Sequence, residues 1–266
     1  MDGLVGGPVA SDRLALEIAV TSAAGARTAR DGGADRVELC SALELGGITP
    51  SAALVESAVS AGLPVHVLVR CRPGDFVYDA EEIALMSAEV RSAIRSGAAG
   101  VVIGALTASG TLDTEAIRQF TDAARETGAA AGRPVEVTLH RAIDQTADPA
   151  ATAAEVPALG LDRILTSGGA ATAVAGTAVI AAMVSAAPDI QVMAGAGVRP
   201  ADIPGLAAAT GVAAVHLSAK SPAPTGPRGR GLALGVTDSA THYLTDPELV
   251  RAAHTARNGP GYRTTA

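Results

Sequence analysis

The chain alternates between two kinds of segment. Short apolar runs rich in Val, Ile and Leu are separated by longer stretches rich in Ala, Glu and Arg. Such runs are typical of strands buried on both faces, and the longer stretches are typical of the helices that connect parallel strands. We count eight runs, at residues 14–20, 36–40, 65–70, 100–104, 135–140, 163–167, 190–195 and 214–218.

This pattern predicts an α/β fold, a single-domain (β/α)8 TIM barrel with a C-terminal extension. Eight strands joined by right-handed crossovers close into a barrel more naturally than they form an open sheet, and 266 residues is a usual length for that barrel. We expect a flexible arm at 1–13 and the barrel at 14–220. A Pro/Gly-rich tail at 221–266 should pack on the barrel or on a partner subunit, although its end, 259–266, could equally be disordered.

Weak internal repeats support the count of strands. The segment beginning at Gly33, before the second run, resembles the one beginning at Gly160, before the sixth. The segment beginning at Gly97, before the fourth run, resembles the one beginning at Gly211, before the eighth. Both pairs are four units apart. A glycine at this place fits a helix-to-strand turn that contains a residue in left-handed conformation.

Composition and charge limit the classes of partner. The formal net charge is −7, so the chain lacks the positive field that binds nucleic acid or an anionic membrane surface. Its start does not resemble a signal peptide, and we see no apolar run of the roughly 20 residues that a membrane span needs. Two cysteines are too few for a disulfide framework. We expect a cytoplasmic protein with no nucleic-acid or membrane partner.

Charged and polar residues lie within or at the ends of the predicted strands. In parallel barrels the reacting groups sit at the carboxyl ends of the strands. An acid, base or guanidinium group placed there must find a partner, because burying an unpaired charge is costly. Their convergence on one mouth indicates a site for a small anionic ligand. The residues concerned are Glu17, Glu38, Arg70, Arg72, His140, Arg141 and His216.

The densest local cluster follows the fifth run. His140 is a candidate acid–base imidazole, Arg141 a candidate anion-binding cation, and Asp144 a carboxylate that could orient either of them. Glu17, Glu38 and His216 complete the predicted catalytic set.

Other segments are candidates for substrate binding. Arg70 and Arg72 flank a loop whose Pro and Gly impose a defined turn, as expected of a loop that binds carboxylate or phosphate. Glycine-rich turns after the sixth and seventh runs offer backbone N–H groups, as phosphate sites in late barrel loops do. A dinucleotide-binding fingerprint is a poor interpretation, since no second nucleotide-binding half accompanies these glycines. The further binding candidates are Thr166, Ser167, Gly168, Gly195, Gly197 and Ser218.

Structural interpretations of the same residues stay open. Glu17, Glu38, Arg36 and Arg163 could form a salt-bridge network that only fills the barrel, and the arginines of the 70–76 loop could be solvated surface charge.

Several motifs, taken in order, resemble the CutC family along nearly the whole predicted barrel. They run from LEI at 16–18 to VHLS at 215–218, and between these lie GADRVELC (33–40), GGITPS (46–51), GDF (74–76) with Tyr78, HRA (140–142) with Asp144, RILTSG (163–168) and MAGAGV (193–198). The resemblance implies a cytosolic (β/α)8 barrel, often oligomeric, that acts in copper homeostasis and in some members binds copper.

The cysteines are the metal candidates that this resemblance implies. Cys40 matches the family's cysteine after the second strand, whereas Cys71 stands where the family usually has proline. Family members often carry cysteine at the end of the first strand, where this chain has Ala19 and Val20. Cys40 and Cys71 would end neighbouring strands and could share a copper ion, with His66 or Met193 nearby. The alternative is that both are small buried apolar side chains.

Three functions remain from the sequence. The first is a cytosolic CutC-type copper-homeostasis protein that could bind copper, as the family resemblance implies, although the chain offers few of the soft ligands that copper(I) favours. The second is a barrel enzyme that acts on a small carboxylate- or phosphate-bearing substrate by acid–base catalysis. The third is a non-catalytic binding barrel. We expect a homo-oligomer in each case.

Overall fold

The structure, a computed structural model, describes residues 13–224 and 242–259. Eight strands within these ranges form a closed barrel in chain order, and every neighbouring pair is parallel. The predicted (β/α)8 barrel is therefore confirmed. The strands are β1 (Ala15–Val20), β2 (Arg36–Leu39), β3 (Val65–Leu68), β4 (Gly100–Ile103), β5 (Glu136–Leu139), β6 (Arg163–Thr166), β7 (Gln191–Ala194) and β8 (Ala214–Leu217).

All eight strands coincide with the predicted runs, but most are shorter. The runs at 65–70 and 135–140 continue beyond the strands, which end at Leu68 and Leu139. Arg70 and His140 thus lie just past the last ladder residues, at the carboxyl end of the barrel. The arm expected at 1–13 lies outside the described residues, apart from Arg13.

Helices surround the barrel. The helices are α1 (Ala23–Asp31), α2 (Ala52–Val59), α3 (Ala80–Arg95), α4 (Thr114–Ala130), α5 (Pro149–Ala153), α6 (Thr177–Ala186), α7 (Ile203–Thr210) and α8 (Pro247–Arg257). Helices α1 to α5 and α8 each begin after a residue whose side chain caps the first turn. The longest two follow Asp79 and Asp113, whose carboxylates accept the N–H groups of Glu82 and Ala116, so each satisfies a free amide of the first turn. Short 3-10 helices occupy Leu43–Leu45, Arg141–Gln145, Val156–Leu159 and Pro200–Asp202.

The repeated glycines have the backbone conformation that the sequence predicted. Gly33, Gly97, Gly160 and Gly211 all have positive φ, between +70° and +98°. Each lies between a helix and the next strand, where a side chain would be strained.

The C-terminal segment returns to the barrel. Lys220–Pro222 and Tyr243–Thr245 form a two-stranded antiparallel sheet, β9 and β10, and α8 follows it. Helix α8 packs against α1 and α7, in the position of the eighth barrel helix. Arg257 anchors its last turn through hydrogen bonds to the carbonyls of Leu14 and Gly33 and an ion pair with Asp35.

Alternate residues of each strand point into the barrel or toward the helices, as the pleat requires. The large core cluster lies between strands and helices. Two small apolar clusters lie apart from it, one of Cys40, Leu68 and Val102 and one of Leu165, Met193 and Ala214. The strand positions of these smaller clusters alternate with those of the large core, which places them inside the barrel together with the polar residues described below. In residues 13–224 and 242–259, no helix is both long and apolar enough to cross a membrane.

Candidate functional site

A cavity of about 360 Å³ opens at the carboxyl ends of the strands. Its lining comes from loops or ends of β1, β2, β3, β5, β7 and β8, which is where barrel enzymes place their reacting groups. Two loops, at 43–46 and 74–76, form part of its rim. The polar and aromatic groups that line it are Glu38, Arg70, Phe76, His140, Arg141, His216 and Ser218.

Glu17 is a fully buried carboxylate with two partners. One oxygen accepts from the guanidinium of Arg36, and the other lies 2.8 Å from Nδ1 of His216. Burial alone would raise the pKa of Glu17, but Arg36 and His216 hold it well below its usual range. Glu17 is therefore an ionised acceptor that fixes the Nδ1–H of His216.

His216 lies between two carboxylates. Burial lowers the pKa of its imidazole, but Glu38 and Glu17 outweigh burial and raise it above its ordinary value. Because Nδ1 is committed to Glu17, Nε2 is the nitrogen free for exchange, and it makes no hydrogen bond with any residue in the described ranges. His216 lines the cavity.

Glu38 faces the same cavity without a bound partner. It is 6% exposed, and its carboxylate makes no hydrogen bond or ion pair within residues 13–224 and 242–259. Burial raises the pKa of Glu38 to about 7, with Glu17 adding to the rise and His216 opposing it. Ligand atoms of Glu17, Glu38 and His216 lie within 4.8 Å of one another. A cation placed among them would compete with Arg36 for Glu17.

His140 follows β5 and is buried on the side of the barrel mouth opposite β1. Its Nδ1 accepts the N–H of Ala142 at 3.1 Å, and its Nε2 is buried with no hydrogen-bond partner in the described part of the chain. Burial, together with Arg70, lowers the pKa of His140 to about 3. The imidazole is therefore neutral at physiological pH.

Arg70 joins two loops of the rim. Its guanidinium donates to the carbonyls of Leu45, Gly47 and Gly74, and its Nε is buried without a partner among the described residues. It lies 5.1 Å from the ring centroid of Phe76. Its charge meets only neutral acceptors.

Arg72, the second predicted cation of this loop, does not line the cavity. It pairs with Glu82 and Asp75 and donates to the carbonyl of Val77. These contacts bind the loop to the start of α3, which accounts for Arg72 without a ligand.

Asp144 lies behind the cavity wall and organises the loop after β6. Its carboxylate accepts hydrogen bonds from Thr166 Oγ1, from the backbone and hydroxyl of Ser167 and from the Gly169 N–H, and it pairs with Arg141. Gly168 in turn donates to Thr166 Oγ1. Of the five sequence candidates joined by these contacts, Arg141 lines the cavity, whereas Asp144, Thr166, Ser167 and Gly168 do not.

Of the candidates in the turn after β7 and at the end of β8, some line the cavity and others do not. Gly197 and Ser218 line the cavity, together with Ala196, whereas Gly195 lies beneath them with Leu165 and His216 in close contact. Ala196 has a φ of +79°, an uncommon conformation for a residue with a side chain.

The structural interpretation holds for a second polar layer, nearer the amino ends of the strands. Arg163 pairs with Glu136 and shares the side chain of Gln191 with Arg36. His66 contacts Glu136 as well. This layer includes Glu17, Arg36 and Arg163 of the network proposed from sequence, but Glu38 stands above it in the cavity.

The two cysteines have different surroundings. Cys40 is fully buried inside the barrel with Leu68 and Val102, while Cys71 packs against the outer core near Glu82. Burial raises the pKa of the Cys40 thiol far above its usual value and also raises that of Cys71. Met193 belongs to a third environment, the apolar cluster with Leu165 and Ala214, where its sulfur contacts Arg36.

Sequence reasoning missed three residues, one at the cavity and two in the layer nearer the amino ends of the strands. Phe76 was noted only as part of a motif, yet its ring lies 4.7 Å from that of His140. Glu136 and Gln191 each begin a strand and pair with the buried arginines. The signal for Glu136 was strand alternation, since it shares a face with Thr138 and His140.

The fold and cavity define a parallel (β/α)8 barrel with a polar cavity at the carboxyl ends of its strands. The model of the CutC family matches residues 14–221, and the chain belongs to this family. It is 44% identical over 213 residues to a CutC family protein of Xanthomonas campestris pv. campestris, covering 79% of this chain and 85% of the relative. It is 42% identical over 217 residues to one of Caulobacter vibrioides, with coverages of 81% and 85%.

A solved structure agrees with these relatives. The crystal structure of a Streptococcus agalactiae protein named for copper homeostasis, CutC, superposes with a TM-score of 0.69 at 28% sequence identity. The superposition covers 77% of this chain and 98% of that one.

Proposed function

We propose that this protein is an enzyme that moves a proton on a small anionic substrate bound in the barrel cavity. The observation that carries the proposal is the arrangement of Glu38, an unpaired carboxylate in the cavity wall, beside His216, an imidazole whose far side is held by Glu17. A base without a competing partner and an acid of fixed orientation are the two parts that proton transfer needs.

The roles follow from the contacts. Glu38 takes a proton from the substrate, and a pKa of about 7 makes it both a usable base and a usable acid near neutral pH. His216 exchanges a proton through Nε2, while Glu17 stabilises its charged form and Arg36 keeps Glu17 ionised. The proton returns to the substrate from Glu38 or from His216, so no other reactant is needed.

Positive charge supports an anionic substrate. Arg70 and Arg141 line the same cavity, and Arg70 has no carboxylate partner in residues 13–224 and 242–259. The net charge of −7 argues against nucleic acid as that anion. The cytoplasmic location and the homo-oligomeric state remain predictions.

The family name raises copper homeostasis as a second function. Copper(I) favours thiolate ligands, and the two thiols do not fit that requirement. Burial disfavours the thiolate form of both, and they pack in separate clusters, one inside and one outside the barrel wall. Our proposal therefore gives copper no role in the cavity.

Exchange of carbon-bound hydrogen for deuterium tests the enzyme without knowledge of its reaction. The protein is incubated in D2O with 2-oxo acids, hydroxy acids and phosphate esters, and proton NMR follows the loss of C–H signals. We expect exchange for at least one class, lowered about 100-fold or more in Glu38→Gln, since general acid–base catalysis contributes that much.

The matched control is Glu44→Gln, which removes an exposed carboxylate beside the mouth. This variant should exchange at the wild-type rate, and added EDTA should change neither rate. Absence of exchange with every class, or equal rates in wild type and Glu38→Gln, contradicts the proposal.

A further inference from the structure

The imidazole of His140 is locked in one tautomer. The N–H of Ala142 donates to Nδ1, so in the neutral ring Nε2 carries the proton. Gly104 lies against the Cε1–Nδ1 edge of the ring, and a Cβ at that position would come within 2.6 Å of these two atoms. A buried N–H donor without a partner is costly, and in native proteins such a group usually serves a ligand or a bound water.

Arg70 presents the second unused donor. Its other N–H groups bind three backbone carbonyls, which fix the guanidinium in place but leave its charge uncompensated. Its Nε–H is buried and has no partner in the described part of the chain. A cation held by neutral acceptors is a fixed site for an anion.

Phe76 brings the two groups into one cluster. Its ring lies 4.7 Å from the His140 ring and 5.1 Å from the Arg70 guanidinium carbon, and all three side chains line the cavity. Phe76 belongs to the loop that Gly74 begins with a φ of +99°.

We propose that Nε2–H of His140 and Nε–H of Arg70 together bind a carboxylate group of the substrate, and that His140 is a fixed hydrogen-bond donor. The inference rests on the proposed function and names the chemistry of its substrate. Two single N–H donors match the two oxygens of a carboxylate, whereas a phosphate group offers more oxygens than this pair can satisfy. Glu38 lines the same cavity, so the group that reacts is a neighbour of the carboxylate held here.

Calorimetric titration with malonate and, separately, with inorganic phosphate tests the binding site. His140→Leu removes the donor at similar bulk, and His140→Gln restores an N–H near the position of Nε2. We expect malonate to bind about tenfold or more weakly to His140→Leu and nearly normally to His140→Gln. Arg251→Gln is the control, because it removes an exposed cation of α8 that does not line the cavity.

Nitrogen-15 NMR of the wild-type imidazoles provides a readout that does not depend on a variant's folding. The charged groups acting on His140 are Arg70, Arg141 and Asp144, and with burial they keep it neutral. Its signals, identified by their absence in His140→Gln, should report the Nε2–H tautomer from pH 5 to 8 and shift when malonate is added.

Three outcomes overturn the inference: an imidazole that titrates near pH 6.5, malonate binding unchanged in His140→Leu, or phosphate binding tighter than malonate. Failure here is distinct from failure of the proposed function. If hydrogen–deuterium exchange of a substrate depends on Glu38 but not on His140, only the proposed carboxylate-binding site is contradicted. If malonate binding depends on His140 but no substrate exchanges hydrogen for deuterium, only the proposed proton transfer is contradicted.

Discussion

The pKa values of three histidines inside the barrel do not all shift in the same direction, because their partners differ. Burial and neighbouring arginines lower the pKa of His66 to about 4, and burial with Arg70 lowers that of His140 to about 3. His216 contacts a carboxylate on one side and faces another, so its pKa is raised. Of the three imidazoles, only His216 has a pKa above its ordinary value, because carboxylates lie beside it.

The raised pKa of Glu38 should lower stability as pH rises. In the unfolded chain this carboxyl titrates near its ordinary value of 4.5, whereas in the folded protein it titrates at about 7. Between these values the folded state binds more protons, so the free energy of unfolding falls with increasing pH. Glu38→Gln removes this contribution. Relative to wild type, the variant should gain up to about 3 kcal/mol between pH 4.5 and pH 8.

Denaturant unfolding of both proteins at the two pH values measures the difference. Glu44→Gln, which changes an exposed carboxylate, should show no such gain. A Glu38→Gln difference that is the same at both pH values would mean that this carboxyl ionises normally in the folded protein.

The surroundings of the cysteines predict weak copper(I) binding. Cys40 is sealed among Leu68 and Val102, and its thiolate form is strongly disfavoured. In an anaerobic competition titration, wild type should bind copper(I) weakly, and Cys40→Ala, Cys71→Ala and the double variant should behave like it. Tight one-to-one binding that the cysteine changes abolish would instead support a copper role for this family member.

At the scale of elements, the strands could be predicted well and the loops could not. Each strand is a short apolar run. The glycines before β2, β4, β6 and β8 mark where those strands begin, because they have a positive φ that only glycine adopts freely. The first helical turns are equally local, because a side chain such as Asp79 caps amides three residues away. These signals lie within a few residues of the structure that they determine.

The loops depend on contacts between distant residues. Both arginines of the 70–76 loop look alike in sequence, yet Arg70 turns inward to Leu45 and Gly47 while Arg72 turns to Glu82 on α3. Asp144 was expected at the site but instead holds the loop after β6. Which carbonyl or carboxylate a guanidinium meets is decided by the packing of other elements, so spacing alone could not separate these roles.

For the whole molecule, the polar side chains inside the barrel form two layers along the barrel axis. The layer of Arg36, Glu136, Arg163 and Gln191 satisfies its own charges, as a structural network must. The cavity above it contains groups that have no partner among the described residues, including Glu38 and Nε2 of His140. This division follows the usual separation in (β/α)8 barrels, with stability at the amino ends of the strands and chemistry at the carboxyl ends.

That division predicts that stability can be lost without loss of binding. The side chain of Arg257 is fully buried where α8 meets the segments before β1 and β2, and it pairs there with Asp35. Arg257→Leu should reduce the free energy of unfolding by about 3 kcal/mol, since it removes the guanidinium that donates to the carbonyls of Leu14 and Gly33 and pairs with Asp35. Malonate binding should stay at the wild-type level below the unfolding transition.

Arg251→Leu on the same helix is the control for this prediction. Its exposed pair with Glu248 should contribute less than about 1 kcal/mol. Denaturant unfolding and calorimetric titration of the two variants, side by side, measure both quantities. If Arg257→Leu weakened malonate binding as well as reducing the free energy of unfolding, the two ends of the barrel would be coupled. Helix α8 would then be one of the elements that shape the cavity.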